Sequence, residues 1–249
     1  MKTVTINHAN AIPVFAFPVH DSGHDLSIKQ ARAIAGPLGY PSKMPGTSYG
    51  ISARKCISGT KLAKIQGSTC HGCYALKGNY LYHSVDMAHE SRFNGLRHPR
   101  WVAAMVRMLS YQHSLDSHGN PRKGRNGTIV PGFHRWHDAG DIQSVQHLAN
   151  ICAVAFLTPQ IRHWLPTREG TMVRRYRDAG GIIPVNLTIR ISATMVNGPV
   201  PSYWPTTSGV HKDSPAIGHD CPARFQDGKC GSCRACWSRD VPRVDYPLH

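Results

Sequence analysis

Acidic residues are scarce in this sequence. Of 249 residues, 14 are Asp or Glu against 29 Lys or Arg, a formal charge of +15 with 16 histidines besides. That balance disfavours cationic partners and favours a polyanion, most simply nucleic acid, through a phosphate attraction blind to sequence. Long apolar runs are missing too, and nothing approaches the roughly 20 residues that span a bilayer. The apolar stretch near the N-terminus is too short and interrupted for a signal peptide. The expectation is therefore no membrane contact and an intracellular, reducing location. No internal repeat or low-complexity tract is visible, which excludes a repeat array.

What is present is cysteine, eight in all. In a reducing compartment these are not expected to form disulfides. Their spacing agrees: seven fall in two groups, 56/70/73 and 221/230/233/236, leaving only Cys152 alone. Disulfide frameworks spread their cysteines, whereas metal sites bunch them. Cys152 lies in an apolar helical stretch and reads as an inert core residue.

The pattern predicts a short strand over 13–17 and an amphipathic helix over 27–35, closed by Gly36-Pro37. Residues 37–69 read as loop, 74–94 as helix, and a further helix runs from Pro99 to about 115. A polar, basic loop occupies 116–127. A strand over 128–136 ends in "HDAGD" (137–141), followed by a helix over 142–156 and a short segment over 161–168. A helix over 171–178 and a buried strand over 182–191 complete the alternation. Strand–helix alternation predicts an α/β fold with a parallel sheet, a full or partial βα barrel. After about residue 197 the periodicity fades. The expected division is a catalytic domain over 1–197 and an irregular, cysteine-rich metal-binding tail over 198–249.

In the tail, Cys221-x8-Cys230-x2-Cys233-x2-Cys236 supplies four thiolates. Four suffice for tetrahedral zinc or for a 4Fe–4S cluster, and the successive two-residue intervals favour iron–sulfur with zinc as the alternative. Cys56, Cys70 and Cys73 supply three. Three cysteines on a 4Fe–4S cluster leave one iron open, while His71 or His83 as a fourth ligand would close a structural site.

Cys56, Cys70 and the run Cys73-Tyr74-Ala75, with "HDAGD", "WLPTR" (164–168) and the terminal quartet, resemble radical S-adenosylmethionine (radical SAM) enzymes. More closely, they resemble a family of phage proteins with a Cys…Cys-x-x-Cys-Tyr-Ala segment. The shared features span most of residues 44–237, although each motif is short. The spacing departs from the usual Cys-x3-Cys-x2-Cys, since 13 residues separate Cys56 from Cys70. The first ligand must therefore arrive from an enlarged loop.

The resemblance implies a barrel whose first helix opens at the Cys-Tyr-Ala turn, and a 4Fe–4S cluster on Cys56, Cys70 and Cys73. It implies S-adenosylmethionine bound through its amino and carboxylate groups, an electron donor, and a second 4Fe–4S cluster or zinc at Cys221, Cys230, Cys233 and Cys236. It further implies a phage-encoded isomerase or transferase of DNA modification in the host cytoplasm, rearranging an amino-acid-modified thymine. With the basic charge, it makes nucleic acid, DNA in the first place, or a nucleotide-like molecule the expected substrate.

Acids at a strand's carboxyl end are where a barrel places its site. Asp138 and Asp141, with His137 beside them, are candidate catalytic residues, and Asp138 is also a candidate for holding the cofactor. The alternative role for Asp141 is the N-cap of the following helix. Arg168 is placed to hold a carboxylate or phosphate bidentately, with a surface salt bridge as the alternative. Tyr74 is a candidate cofactor contact. Lys77, Tyr80 and Tyr82 follow the cysteines, where aromatics more commonly pack than bind, and packing is likewise the first expectation for the five tryptophans. Two other classes remain open. One is a non-catalytic, zinc-dependent nucleic-acid-binding protein. The other is a zinc-bearing base-exchange enzyme with Asp138 or Asp141 as nucleophile.

Overall fold

The computed structural model describes residues 21–123 and 132–248. The strand expected over 13–17, the end of the basic loop and the start of the strand expected over 128–136 lie outside the described residues.

The first helix, α1 (Ile28–Ala35), starts at a capping box. Ser27 Oγ accepts from the Gln30 N–H, and Gln30 reaches back to the Ser27 N–H. β1 (Thr47–Tyr49) follows, then a long excursion carrying α2 (Ile57–Leu62), α3 (His83–Gly95) and α4 (Trp101–Gln112). The stretch 74–82, expected as the first part of one helix, instead forms two 3-10 turns, Tyr74–Leu76 and Gly78–Leu81. Gly78 has φ +53° there, a conformation that interrupts a right-handed helix.

β2 (Phe133–Trp136), α5 (Val145–Leu157), β3 (Arg162–Thr167), α6 (Gly170–Asp178) and β4 (Leu187–Ser192) give the expected alternation. The segment 161–168 is thus a strand, and β4 begins five residues later than the pattern predicts. α5 begins at Val145, because Ser144 caps it by accepting the His147 N–H.

The residues beyond 197, expected to be irregular, contribute β5 (Thr207–His211), β6 (His219–Asp220) and β7 (Arg243–Pro247). All seven strands form one parallel sheet, in the order β1-β2-β3-β4-β5-β7-β6. Its end strands β1 and β6 do not pair with each other among the described residues. The fold is mixed α/β.

Side-chain alternation explains the layers. Leu187, Ile189 and Ile191 of β4 join Trp136, Leu165 and the apolar stripes of α1, α4, α5 and α6 in the main core. The opposite face carries Phe133, Trp164, Val244 and Tyr246, and it is covered by the segment Ala235–Trp237. Arg190, fully buried on that second face, donates to the carbonyls of Ala235, Cys236, Ser238, Val241 and Thr207 at 2.7–3.2 Å. No helix among the described residues is long and apolar enough to cross a membrane.

Candidate functional site

The loops leaving the carboxyl ends of β1 to β4 converge. Cys56 sits just before α2 in the loop after β1. The turn holding Cys70 and Cys73 docks on the end of β4: the Thr69 N–H donates to Thr194 O at 2.9 Å, and Val196 N–H donates to Gly67 O. A Cβ built on Gly59 of α2 would lie 3.4 Å from Cys56 Sγ and 3.7 Å from Cys70 Sγ, so these two sulfurs flank one point of the helix. Cys56 and Cys73 share a small apolar cluster with Ala53, Ala75 and Ala139. The loop of 13 residues therefore does bring Cys56 to Cys70 and Cys73. All the described cysteines are free.

Burial pushes the Cys56 thiol up to about 12, with the neighbouring Asp141, Cys70 and Cys73 adding to it and Arg168 opposing. Cys70 is raised by burial as well, again against Arg168. A thiol so placed keeps its proton until a metal displaces it. Among the described residues, no three His, Cys, Asp or Glu side chains are already drawn tightly enough together to hold a single metal ion.

Arg168 leaves the end of β3. Its Nε donates to Thr69 Oγ1 at 2.9 Å, and its backbone N–H donates to Asp141 Oδ2 at 2.8 Å. The two terminal guanidinium nitrogens have no protein partner among the described residues, so the salt bridge considered for Arg168 does not form.

"HDAGD" turns out to be a joint between strands. Asp141 is buried and also accepts from Thr167 Oγ1 at 2.6 Å and from the Ile142 N–H. Its carboxylate thus ties the loop after β2 to the end of β3, and the N-cap role belongs to Ser144 instead. Burial raises its pKa to about 6, against the pull of those hydrogen bonds. Gly140, at φ +75°, lets the loop pass so close to Ile51 that a Cβ would sit 2.7 Å from the Ile51 carbonyl oxygen. His137 is buried, with its ring 5.4 Å from that of His147. Asp138 is half-buried, and its Oδ1 has no hydrogen-bond partner. Its carbonyl accepts from Tyr74 Oη at 2.8 Å and from Tyr80 Oη at 3.4 Å, which pins the Cys-Tyr-Ala turn to β2. His71 is exposed, with Nδ1 3.2 Å from Ala63 O, and His83 is exposed as the first residue of α3.

Two residues go beyond the sequence reading. Glu169, buried, accepts the Ser58 N–H at 2.7 Å and the Ser58 hydroxyl at 2.8 Å, holding the first turn of the helix that Cys56 opens. Its signal was an acid directly after Arg168 in an acid-poor chain. Arg135 donates to Tyr74 Oη at 3.3 Å, stacks 4.5 Å over the Trp164 ring and acts on Cys230. It therefore lies between the two cysteine groups.

Cys221, Cys230, Cys233 and Cys236 gather on the sheet face opposite the helices and act on one another's charge. Cys236 Sγ lies 3.1 Å from Tyr246 Oη, and burial pushes its thiol up to about 12. Cys233 Sγ lies 3.4 Å from His219 Nε2, a neighbour the spacing alone does not reveal. The described part of the basic loop, 116–123, follows α4 near the start of β1, where His113 meets Thr47. It is thus at the other end of the sheet from Cys56, Cys70 and Cys73. Cys152 is fully buried in α5, as expected of a core residue.

Fold and site together describe an α/β protein with three free cysteines near the carboxyl ends of a parallel sheet and four more on one sheet face. A family model described as Gene product 88 matches residues 28–239, and the chain belongs to that GP88 family, consistent with a phage protein. No curated protein and no solved structure matches the chain.

Proposed function

We propose that the protein is an iron–sulfur enzyme of the radical SAM type that acts on nucleic acid. The observation that carries this reading is the convergence of Cys56, Cys70 and Cys73 beside Arg168, whose two terminal guanidinium nitrogens have no partner among the described residues. Three soft donors in a partly apolar niche suit an iron–sulfur cluster with one iron left open. Cys56, Cys70 and Cys73 would hold that 4Fe–4S cluster, and Arg168 suits the carboxylate of S-adenosylmethionine. When bound, the pair supplies a one-electron chemistry that yields an adenosyl radical able to remove hydrogen from an unactivated carbon, the electron coming from an external donor.

The chain's own residues do the positioning. Asp141 fixes the backbone from which Arg168 projects, and Glu169 fixes the helix that Cys56 opens. Asp138, with Oδ1 unpartnered at the end of β2, is the residue best suited to accept from an ammonium or a substrate hydroxyl. The quartet Cys221, Cys230, Cys233 and Cys236 would hold a second 4Fe–4S cluster or zinc. The charge of +15 supports a nucleic-acid substrate, and membership of a phage-type family supports DNA modification, an isomerase step on an amino-acid-modified thymine.

Anaerobic purification and reconstitution test the reading. Expected are a brown protein, iron bound, and reductant-dependent cleavage of S-adenosylmethionine. Replacement of Cys70 or Cys73 by Ala should abolish cleavage while one metal centre remains, whereas Cys233→Ala should mainly impair folding. A colourless protein without iron would overturn it. The contact of Cys233 with His219 favours a second reading, a non-catalytic nucleic-acid-binding protein with structural zinc. Zinc without iron, and no dependence on reductant, would select that one.

A further inference from the structure

No Asp or Glu occurs between Asp25 and Asp86, a run of 60 residues (26–85) that includes all three cysteines of the candidate site. Eight Lys or Arg residues lie in the same run. Two of these, Arg54 and Lys55, are paired with Asp86 and Glu90 at 3.6 and 3.5 Å. Lys61, Lys64 and Lys77 are exposed and have no ion pair among the described residues.

These three cations border the cysteine turn. Lys61 lies in α2, whose Gly59 sits between the sulfurs of Cys56 and Cys70, and Lys64 follows one turn later. His71, inside the Cys70–Cys73 turn, meets the carbonyl of Ala63 at 3.2 Å, which seats the turn against the Lys64 end of that helix. On the other side, a Cβ built on Gly72 would lie 3.6 Å from Lys77 Nζ, so that ammonium hangs over the turn itself. Two exposed tyrosines follow the turn in sequence, Tyr74 directly after Cys73 and Tyr82 at the start of α3. Tyr74 is 50% exposed although its hydroxyl is anchored to Asp138 O, and Tyr82 is 61% exposed. Tyr74, tethered at one end with half its surface open, is a stacking platform rather than a core residue, and the Tyr82 ring is open to the same use.

We propose that this rim is the track on which a polynucleotide lies. Lys61, Lys64 and Lys77 contact successive phosphates, and Tyr74 and Tyr82 stack bases displaced toward the cysteines. The inference rests on the functional reading above and deepens it: the substrate is a polymer with an unpaired base, not a free nucleotide. Lysine and tyrosine side chains interleaved along a groove or rim are what a sequence-tolerant single-strand site requires, and none of these groups reads base edges.

The test is fluorescence anisotropy of a labelled single-stranded DNA of about 20 nucleotides, long enough to cover one such site, titrated with the as-purified protein across a salt series. Log affinity should fall linearly with log salt. The triple variant Lys61→Gln/Lys64→Gln/Lys77→Gln should lower that slope by about 2, given about 0.7 per single-strand phosphate contact. Tyr82→Ala should weaken binding about tenfold, within the range for one stacked base. An equal charge removal elsewhere, Lys29→Gln/Arg175→Gln/Arg177→Gln on α1 and α6, should leave most of the affinity intact. Thymidine monophosphate in large excess should not displace the oligonucleotide.

Equal losses in the two triple variants, an unchanged slope in the first, or displacement by the mononucleotide would each overturn the proposal. Iron content and S-adenosylmethionine cleavage measured on the same samples separate the two readings. A preparation with iron and cleavage but no binding to DNA sinks this inference alone. One that binds through the rim but holds no iron sinks the enzymatic reading alone.

Discussion

Asp141 shows how far a residue's chemistry depends on what it already holds. In the sequence it is one of two acids in "HDAGD", equally suited to catalysis or to capping. In the structure its two oxygens accept from Thr167 Oγ1, the Ile142 N–H and the Arg168 N–H at 2.6–2.8 Å. Asp138 keeps an oxygen without a partner, so the two acids of one motif divide between scaffold and candidate chemistry. Asp141→Asn places an amide NH2 against at least one of three donors. Leaving a buried donor unmade costs about 1–3 kcal/mol, and more where the lost acceptor was charged. A loss of about 2–3 kcal/mol is expected, or a fall of about 5–10 °C in Tm for a chain of this size. Thermal unfolding followed by circular dichroism measures it, and an unchanged Tm would refute the scaffold role. Arg168, whose backbone this carboxylate holds, should then also lose its fixed approach to Thr69.

At the scale of elements, β4 carries the connection between the two halves of the chain. Its alternation sends Leu187, Ile189 and Ile191 into the main core and turns Arg190 toward the tail. Among the described residues no carboxylate pairs with that guanidinium, and five carbonyls solvate it instead. Arg190→Met retains much of the stem's apolar volume but leaves those carbonyls without their donor. Leaving buried acceptors unmade costs about 1–3 kcal/mol, and the loss should fall on the residues it binds. Limited proteolysis should then cut first within 212–242, at protease concentrations that leave the unaltered protein intact. Cleavage spread evenly along the chain would argue against this local role. The alternation of β2 and β4 with α5 and α6 was legible because each element carries its own period and punctuation, whereas β3 read only as a short segment. The tail strands were not legible, because β5 and β7 are short and polar and take their place from partners far away in sequence. The turns over 74–82 misled for a related reason: their apolar spacing is helical, yet Gly78 and the bonds from Tyr74 and Tyr80 to Asp138 decide the path. The grouping of Cys56 with Cys70 and Cys73 was legible from their clustering in the sequence, whereas Glu169 and Arg135 emerge only from contacts across the sheet.

For the whole molecule, the scarcity of acids has a consequence for stability in acid. His134, His137, His147 and His163 are all buried, and their rings lie 5.4–5.5 Å apart in two pairs. Among the described residues, the groups that act on them are other histidines, arginines and backbone, beside burial, and no carboxylate. Burial lowers His147 and His163 to about 3, and it lowers His134 and His137 in the same direction. In the unfolded chain each returns to about 6.5. Between those values the unfolded state binds more protons than the native one, so stability is full above about pH 6.5 and is lost as pH falls. For His147 and His163 together the loss between pH 7 and pH 5 is about 4 kcal/mol, and Asp141, whose raised pKa acts in the opposite sense, returns about 1 kcal/mol of it. The net loss is a large part of the roughly 5–15 kcal/mol by which a domain is stable, and the self-repulsion of a chain at +15 adds to it. Urea unfolding at pH 7 and pH 5 should therefore show a marked fall in midpoint without a change in slope. His163→Gln, whose side chain can still meet Thr158 Oγ1, should shrink that fall by about 2 kcal/mol, the share of one histidine. Equal midpoints at the two pH values, or a fall that survives the substitution undiminished, would show that these buried rings do not set the acid limit of the fold.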